Sequence, residues 1–224
     1  SAFKAAEPKV TLLATAAVTG EPLPFDLAVN APTPARNAAL LDACGRLEPR
    51  ARALILLVRR WAKDRGICHV AKGHLPPYAW TLLAIYFLQV GVREEGPLLP
   101  PLGQEPLPTT AAAAEKPKLS LGALFRAFFA FHASELNWHQ EAVAPHLGRR
   151  APPSLDAQLY VVLCGDQRAD LAPTIQDPFE PRRNVATTCS AQGLARLRFE
   201  LQRAAQLCAA AAPLGVLLEP PQHQ

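Results

Sequence analysis

The order of apolar and polar positions divides the chain into a short β-type beginning and a long helical remainder. Residues 9–19 (KVTLLATAAVT) are apolar and rich in β-branched side chains, residues 20–24 (GEPLP) carry a turn signal, and residues 25–30 (FDLAVN) alternate apolar with polar. This predicts two strands joined by a short loop, with Pro32 and Pro34 ending the second. Helical periodicity then takes over. Residues 37–44 predict a short helix closed by Gly45, and Pro49 opens another, as proline does in a first helical turn. There Leu54, Leu57, Val58 and Trp61 fall at i, i+3, i+4 and i+7, predicting one buried stripe that stops near Gly66. Pro76 and Pro77 precede a strongly apolar helix over 78–90, and two further helices are predicted over 119–134 and 193–212. The last turns Leu194, Leu197, Leu201 and Ala204 inward. Residues 159–164 (LYVVLC) predict a short strand, residues 177–184 a proline-containing loop, and residues 96–117 a surface loop or insertion rich in proline and alanine. The expected fold class is α+β, mostly helical.

Composition narrows the picture only slightly. The chain has 224 residues, half of them hydrophobic, enough for one ordinary domain or a small domain plus part of another. A net charge of +4 suits a polyanionic partner without requiring one. The five cysteines form no CxxC pair, so neither a zinc knuckle nor a disulfide framework has support, and reduced thiols are expected. No run of eighteen apolar residues and no signal-peptide pattern occurs, so no membrane partner is expected. Methionine is absent, even at position 1, which suggests a piece of a longer polypeptide.

Several residues could carry chemistry. Asp26 interrupts a strand, where a carboxylate either faces solvent or serves as a metal ligand at the end of a sheet. One carboxylate does not complete a magnesium site, because hard cations need several oxygen ligands. Arg59 and Lys63 lie at i and i+4 on one helix face, away from the apolar stripe, a pair suited to a triphosphate or to solvent. Tyr78 follows two prolines at a helix start, where a ring can stack on a nucleobase or pack in the core. Asp177, Glu180 and Arg183 crowd one loop, DPFEPRRN, whose carboxylates could accept hydrogen bonds from a base edge.

Taken in order, FDLAVN (25–30), ARNAALLDACGRLEPRARALILLVRRWAKDRGI (35–67), GHLPPYAWTLLAIYFLQV (73–90), LSLGALFRAFFAFHA (119–133) and IQDPFEPRRNVA (175–186) resemble the terminal uridylyltransferase and cytoplasmic-type poly(A) polymerase family, within the DNA polymerase β superfamily. The resemblance covers about half of the chain. It implies a remnant of a catalytic palm (1–34), a helical PAP-associated domain (35–218, with an insertion at about 96–118) and a tail (219–224). The implied activity is template-independent addition of UMP or AMP, from UTP or ATP with Mg²⁺ or Mn²⁺, to an RNA 3′ end. Asp26 matches the third metal-binding carboxylate. Asn30, Arg59, Lys63, Tyr78, Asp177, Glu180 and Arg183 match nucleotide-handling positions, with Lys63 and Arg59 on the triphosphate and Tyr78 under the base.

The chain also departs from the family pattern. The family's Gly-Ser motif and Asp-x-Asp pair precede the FDLAVN strand, whereas residues 1–25 contain no aspartate. The first two catalytic aspartates are therefore expected to be missing from this chain, which alone is expected to be inactive. Ala31, Ala38 and Pro77 stand at positions where the family places polar groups, Arg59 replaces a lysine, and Arg183 stands where uridylyl-specific members carry histidine. These substitutions fit an alternative reading, an inactive scaffold or RNA-binding subunit of a ribonucleoprotein complex. RNA backbone contacts are expected among Arg149, Arg150, Arg182 and Arg183. An intracellular location is expected, cytoplasmic or mitochondrial.

Overall fold

The computed structural model describes residues 9–15, 20, 22–29, 32–103, 118–153 and 173–220. The strand expected over 159–164, residues 104–117 of the insertion, and Asn30 and Ala31 lie outside them. The chain divides into two units, Ser1–Leu40 and Leu41–Gln224. Its architecture is α+β and mostly helical.

In the first unit, β1 (Lys9–Thr15) and β2 (Pro22–Ala28) pair antiparallel, from Lys9 opposite Ala28 to Thr15 opposite Pro22. β2 starts three residues before the alternation that begins at Phe25. Pro22 and Pro24 cannot donate to a ladder, but each strand of a two-stranded ribbon has an open edge where a missing donor is tolerated. Asp26 lies opposite Thr11 in the register.

The next helix corrects the sequence reading. α1 runs over Pro32–Leu47, so Pro32 and Pro34 begin a helix and Gly45 does not close one. First-turn N–H groups have no intrahelical acceptor, so proline is tolerated there. At Gly45 a Cβ would lie 3.4 Å from Cβ of Arg52, ordinary contact, and Glu48 N still donates to Cys44 O at 2.9 Å.

The second unit is built around α2 (Pro49–Asp64) and α3 (Pro77–Val90). Glu48 caps α2, its Oε1 accepting from Arg50 N at 2.9 Å, and Pro49 takes the first helical position. The Arg50 guanidinium then bridges Glu48 (2.7 Å) and Glu95 (2.9 Å) and donates to Leu119 O (2.6 Å). These bonds hold Glu48 and Glu95 below the usual carboxylate range. The buried face of α2 is Ala51, Leu54, Ile55, Val58, Trp61 and Ala62, with Leu57 only half-buried. The stripe is thus rotated slightly from the predicted one. α3 is buried from Ala79 through Gln89 and is apolar nearly all round, as a central helix must be. Gln89 offsets its burial by donating to Pro100 O (2.7 Å) and Pro145 O (2.9 Å). Leu99 and Leu102 are buried, so this end of the expected surface loop belongs to the core.

α4 (Leu121–Ala130) continues into a π-helical turn, Phe131–Glu135. α5 (Ala191–Ala209) is capped by Ser190, whose Oγ accepts from Gly193 N at 3.0 Å, and a short α6 (Leu214–Leu218) follows. Leu194, Leu197, Leu201 and Ala204 of α5 are buried as predicted. α2, α3 and α4 meet in an aromatic core: Trp61 lies edge-on to Trp80 (5.6 Å between centroids) and to Phe129 (4.7 Å). Among the described residues, no helix is long and apolar enough to cross a membrane.

Candidate nucleotide site

The loop DPFEPRRN is rigidly built. Val143 and Ile175 form a parallel bridge, and Gln176 pairs antiparallel with Asn184. Asp177 N donates to Arg183 O at 3.0 Å and Arg183 N to Glu180 O at 2.7 Å, closing the turn. Asn184 clamps its base: Oδ1 accepts from Ile175 N (3.0 Å) and Ala186 N (2.9 Å), and Nδ2 donates to Pro173 O (3.3 Å). Gly103 permits the loop's close seat, since a Cβ there would sit 2.5 Å from Pro178 O.

Within that frame, Asp177 is 3% exposed. Its Oδ1 accepts from Phe179 N (2.9 Å) and Glu180 N (3.3 Å), and its Oδ2 lies 3.7 Å from Arg183 Nη1. Asp177 therefore holds the turn and aims Arg183, with its carboxylate turned toward protein donors. Arg183 and Glu180 are exposed.

Tyr78 sits in the first turn of α3, after Pro76 and Pro77. Proline fixes φ and has no N–H, so the chain enters the helix at a set angle. Tyr78 is half-buried. Burial pushes its hydroxyl pKa well above the ordinary value, Asp177 and Glu180 add to the rise, and Arg183 opposes it. The phenol therefore stays protonated, and its oxygen has no hydrogen-bond partner among the described residues. The structure thus brings together four residues singled out from the sequence: Tyr78, Asp177, Glu180 and Arg183.

Arg59 and Lys63 form a second group. Lys63 is exposed and Arg59 half-buried, and both positive charges act on Cys68, whose pKa burial nevertheless raises. Between them Arg60 is committed to Asp64 at 2.6 Å. Asp26 belongs to the first unit, and its side chain is outside those described. Among the described residues, no three His, Cys, Asp or Glu side chains converge to hold a metal. They do not by themselves fit a magnesium cage. Asn184 escaped the sequence reading; its signal was an Asx-type residue closing a proline-bounded loop.

No family model matches the chain. It is 28% identical over 204 residues to the terminal uridylyltransferase cid1 of Schizosaccharomyces pombe, covering 81% of this chain and 50% of that protein. It is 28% identical over 151 residues to the poly(A) RNA polymerase GLD2-A of Xenopus laevis, covering 59% of this chain and 28% of that one. A crystal structure of the Cid1 poly(U) polymerase superposes with a TM-score of 0.79 at 25% identity, covering 97% of this chain and 71% of that one. A cytoplasmic RNA terminal U-transferase superposes at 0.71 and 25%, covering 96% and 73%. The fold is that of a Cid1-type nucleotidyltransferase. The chain is thus similar to a terminal uridylyltransferase and to cytoplasmic-type poly(A) polymerases. It spans about half the length of cid1 and under a third of GLD2-A.

Proposed function

We propose that this chain is the nucleotide- and RNA-handling part of a template-independent RNA 3′-end nucleotidyltransferase that uses UTP or ATP. The observation that carries this reading is the grouping of Tyr78 with Asp177, Glu180 and Arg183 at the start of α3. A half-buried ring at the start of a helix offers a face on which a base can stack. Arg183 supplies donors for base acceptors, and Glu180 an acceptor for base N–H groups. Lys63 and Arg59 would neutralise the triphosphate. In the reaction the 3′ oxygen of the RNA bonds to the α-phosphorus, the bond to pyrophosphate breaks, and the hydroxyl proton is lost to base. Structures of Cid1 have been solved with MgGTP and with its short product ApU. Asp26 is proposed as one ligand for Mg²⁺ or Mn²⁺, and a complete cage requires carboxylates besides those described.

Calorimetric titration of the full chain with UTP and with ATP tests the reading. Wild type should bind at least one of them, and Tyr78→Ala should weaken that binding about tenfold. Equal affinities with an unchanged melt would remove Tyr78 from the site and the proposal with it.

A further inference from the structure

The connection between α2 and α3 carries positive charge that the nucleotide site does not use. Residues 65–76 (RGICHVAKGHLP) hold the exposed cation Lys72, flanked by the imidazoles of His69 and His74, and no carboxylate. The segment is fixed in place. A 3₁₀ turn over Val70–Lys72 ends at Gly73, with φ 73°. Ser190 N donates to Gly73 O at 2.9 Å, and Thr188 Oγ1 to His74 O at 3.2 Å. Gly193 makes this seat possible, because a Cβ there would lie 1.9 Å from the Gly73 oxygen.

The docking sets Lys72 and His74 beside α5. Burial lowers the His74 pKa, and the charges of Arg196, His69 and Lys72 lower it further. Arg196 Nη2 contacts Glu200 Oε1 at 2.6 Å, yet Arg65 already engages both oxygens of that carboxylate. Two guanidiniums on one carboxylate leave a positive charge over, and Arg196 is the member that reaches the surface. Its guanidinium lies 5.5 Å from the ring centre of Phe199. Phe199 is 55% exposed, a large ring left in water beside cations.

We infer that Lys72, Arg196 and Phe199 form a docking surface for single-stranded RNA, with phosphates on the two cations and a base stacked on Phe199. Cations that follow a backbone, with an aromatic plate among them, are the means by which proteins hold single strands without reading sequence. A duplex would offer the same phosphates but no free base face. The surface rests on the RNA-handling reading above and gives the strand leading to the 3′ end a place to lie.

Fluorescence anisotropy of the full chain with a 5′-labelled oligo(U), and with an RNA duplex of equal length, tests this. Phe199 and Lys72 are exposed, so Phe199→Ala and Lys72→Glu should melt like wild type. Phe199→Ala should weaken oligo(U) binding about tenfold and leave duplex binding unchanged. Lys72→Glu should weaken both and reduce the salt slope for oligo(U) by about 0.7. Unchanged oligo(U) affinity in Phe199→Ala overturns the inference. So does an equal loss for duplex and single strand, which would mark a surface read by charge alone, as an acidic protein partner would read it. UTP titration separates the two readings. Intact UTP binding with no effect of Phe199 defeats this surface alone. Phe199-dependent oligo(U) binding without UTP or ATP binding defeats the nucleotidyl-transfer reading alone.

Discussion

Arg65 and Glu200 form a bidentate ion pair across the helical unit, Nε to Oε2 at 2.8 Å and Nη2 to Oε1 at 3.0 Å, with 5% and 0% of their side chains exposed. Arg65 closes the C-terminus of α2 and Glu200 lies in the middle of α5, so the pair ties the two helices together. Arg65 also donates to the backbone carbonyl of Glu219, just past α6.

Breaking this pair from one side leaves a buried charge uncompensated. Glu200→Ala should therefore cost about 3–5 kcal/mol, read from urea unfolding. Replacing both partners, as Arg65→Met with Glu200→Leu, should recover much of the loss, because neither charge then has to be desolvated. A single variant that unfolds at the wild-type urea midpoint would show that the pair contributes nothing.

Trp61 tests the core independently. It is fully buried and packs edge-on against both Trp80 and Phe129. Trp61→Ala should cost about 3–5 kcal/mol, since the cavity joins two other rings and cannot collapse. An unshifted urea midpoint would mean that the α2 face is misassigned.

These two residues show what was legible in the sequence. Trp61 could be found, because apolar spacing reports a buried face directly. Arg65, six residues from Arg59 in the same basic segment, carries no such signal. Its partner is 135 residues away, and no local pattern distinguishes a buried arginine from a solvated one. The same limit applies at the candidate site. Tyr78 and the loop around Asp177 could be singled out individually, but Asp177 serves its own turn, and only the folded chain shows that. The extent of α1 was misread because proline and glycine usually end elements, while here they stand where a helix tolerates them.

His132 gives the stability a pH dependence. It is completely buried within the π-helical turn, and its Nδ1 donates to Phe128 O at 2.9 Å. Burial brings its pKa down to about 4, from 6.5. Between those values the unfolded chain binds a proton that the folded chain refuses, so unfolding gains as pH falls. This contribution to stability is whole above pH 6.5 and is lost progressively toward pH 4, to an extent on the order of 3 kcal/mol. His132→Asn keeps a donor for the Phe128 carbonyl but does not titrate. Its melting temperature should fall less steeply with acid than that of wild type. Parallel slopes would place the acid sensitivity elsewhere.

Lys63 and Arg60 are exposed cations on the same helix, and they should behave differently. Arg60 is bound to Asp64 at 2.6 Å, so its charge is locally compensated. Lys63 instead shares the surroundings of Cys68 with Arg59, another cation. A triphosphate would relieve that repulsion. Lys63→Ala should therefore weaken UTP or ATP binding about tenfold, the scale of one charge-assisted hydrogen bond, with stability changed by less than about 0.5 kcal/mol. Arg60→Ala should leave nucleotide affinity unchanged. Calorimetric titration of both variants decides the matter: equal losses would reduce the effect to net charge, and no loss in Lys63→Ala would take the triphosphate off this helix.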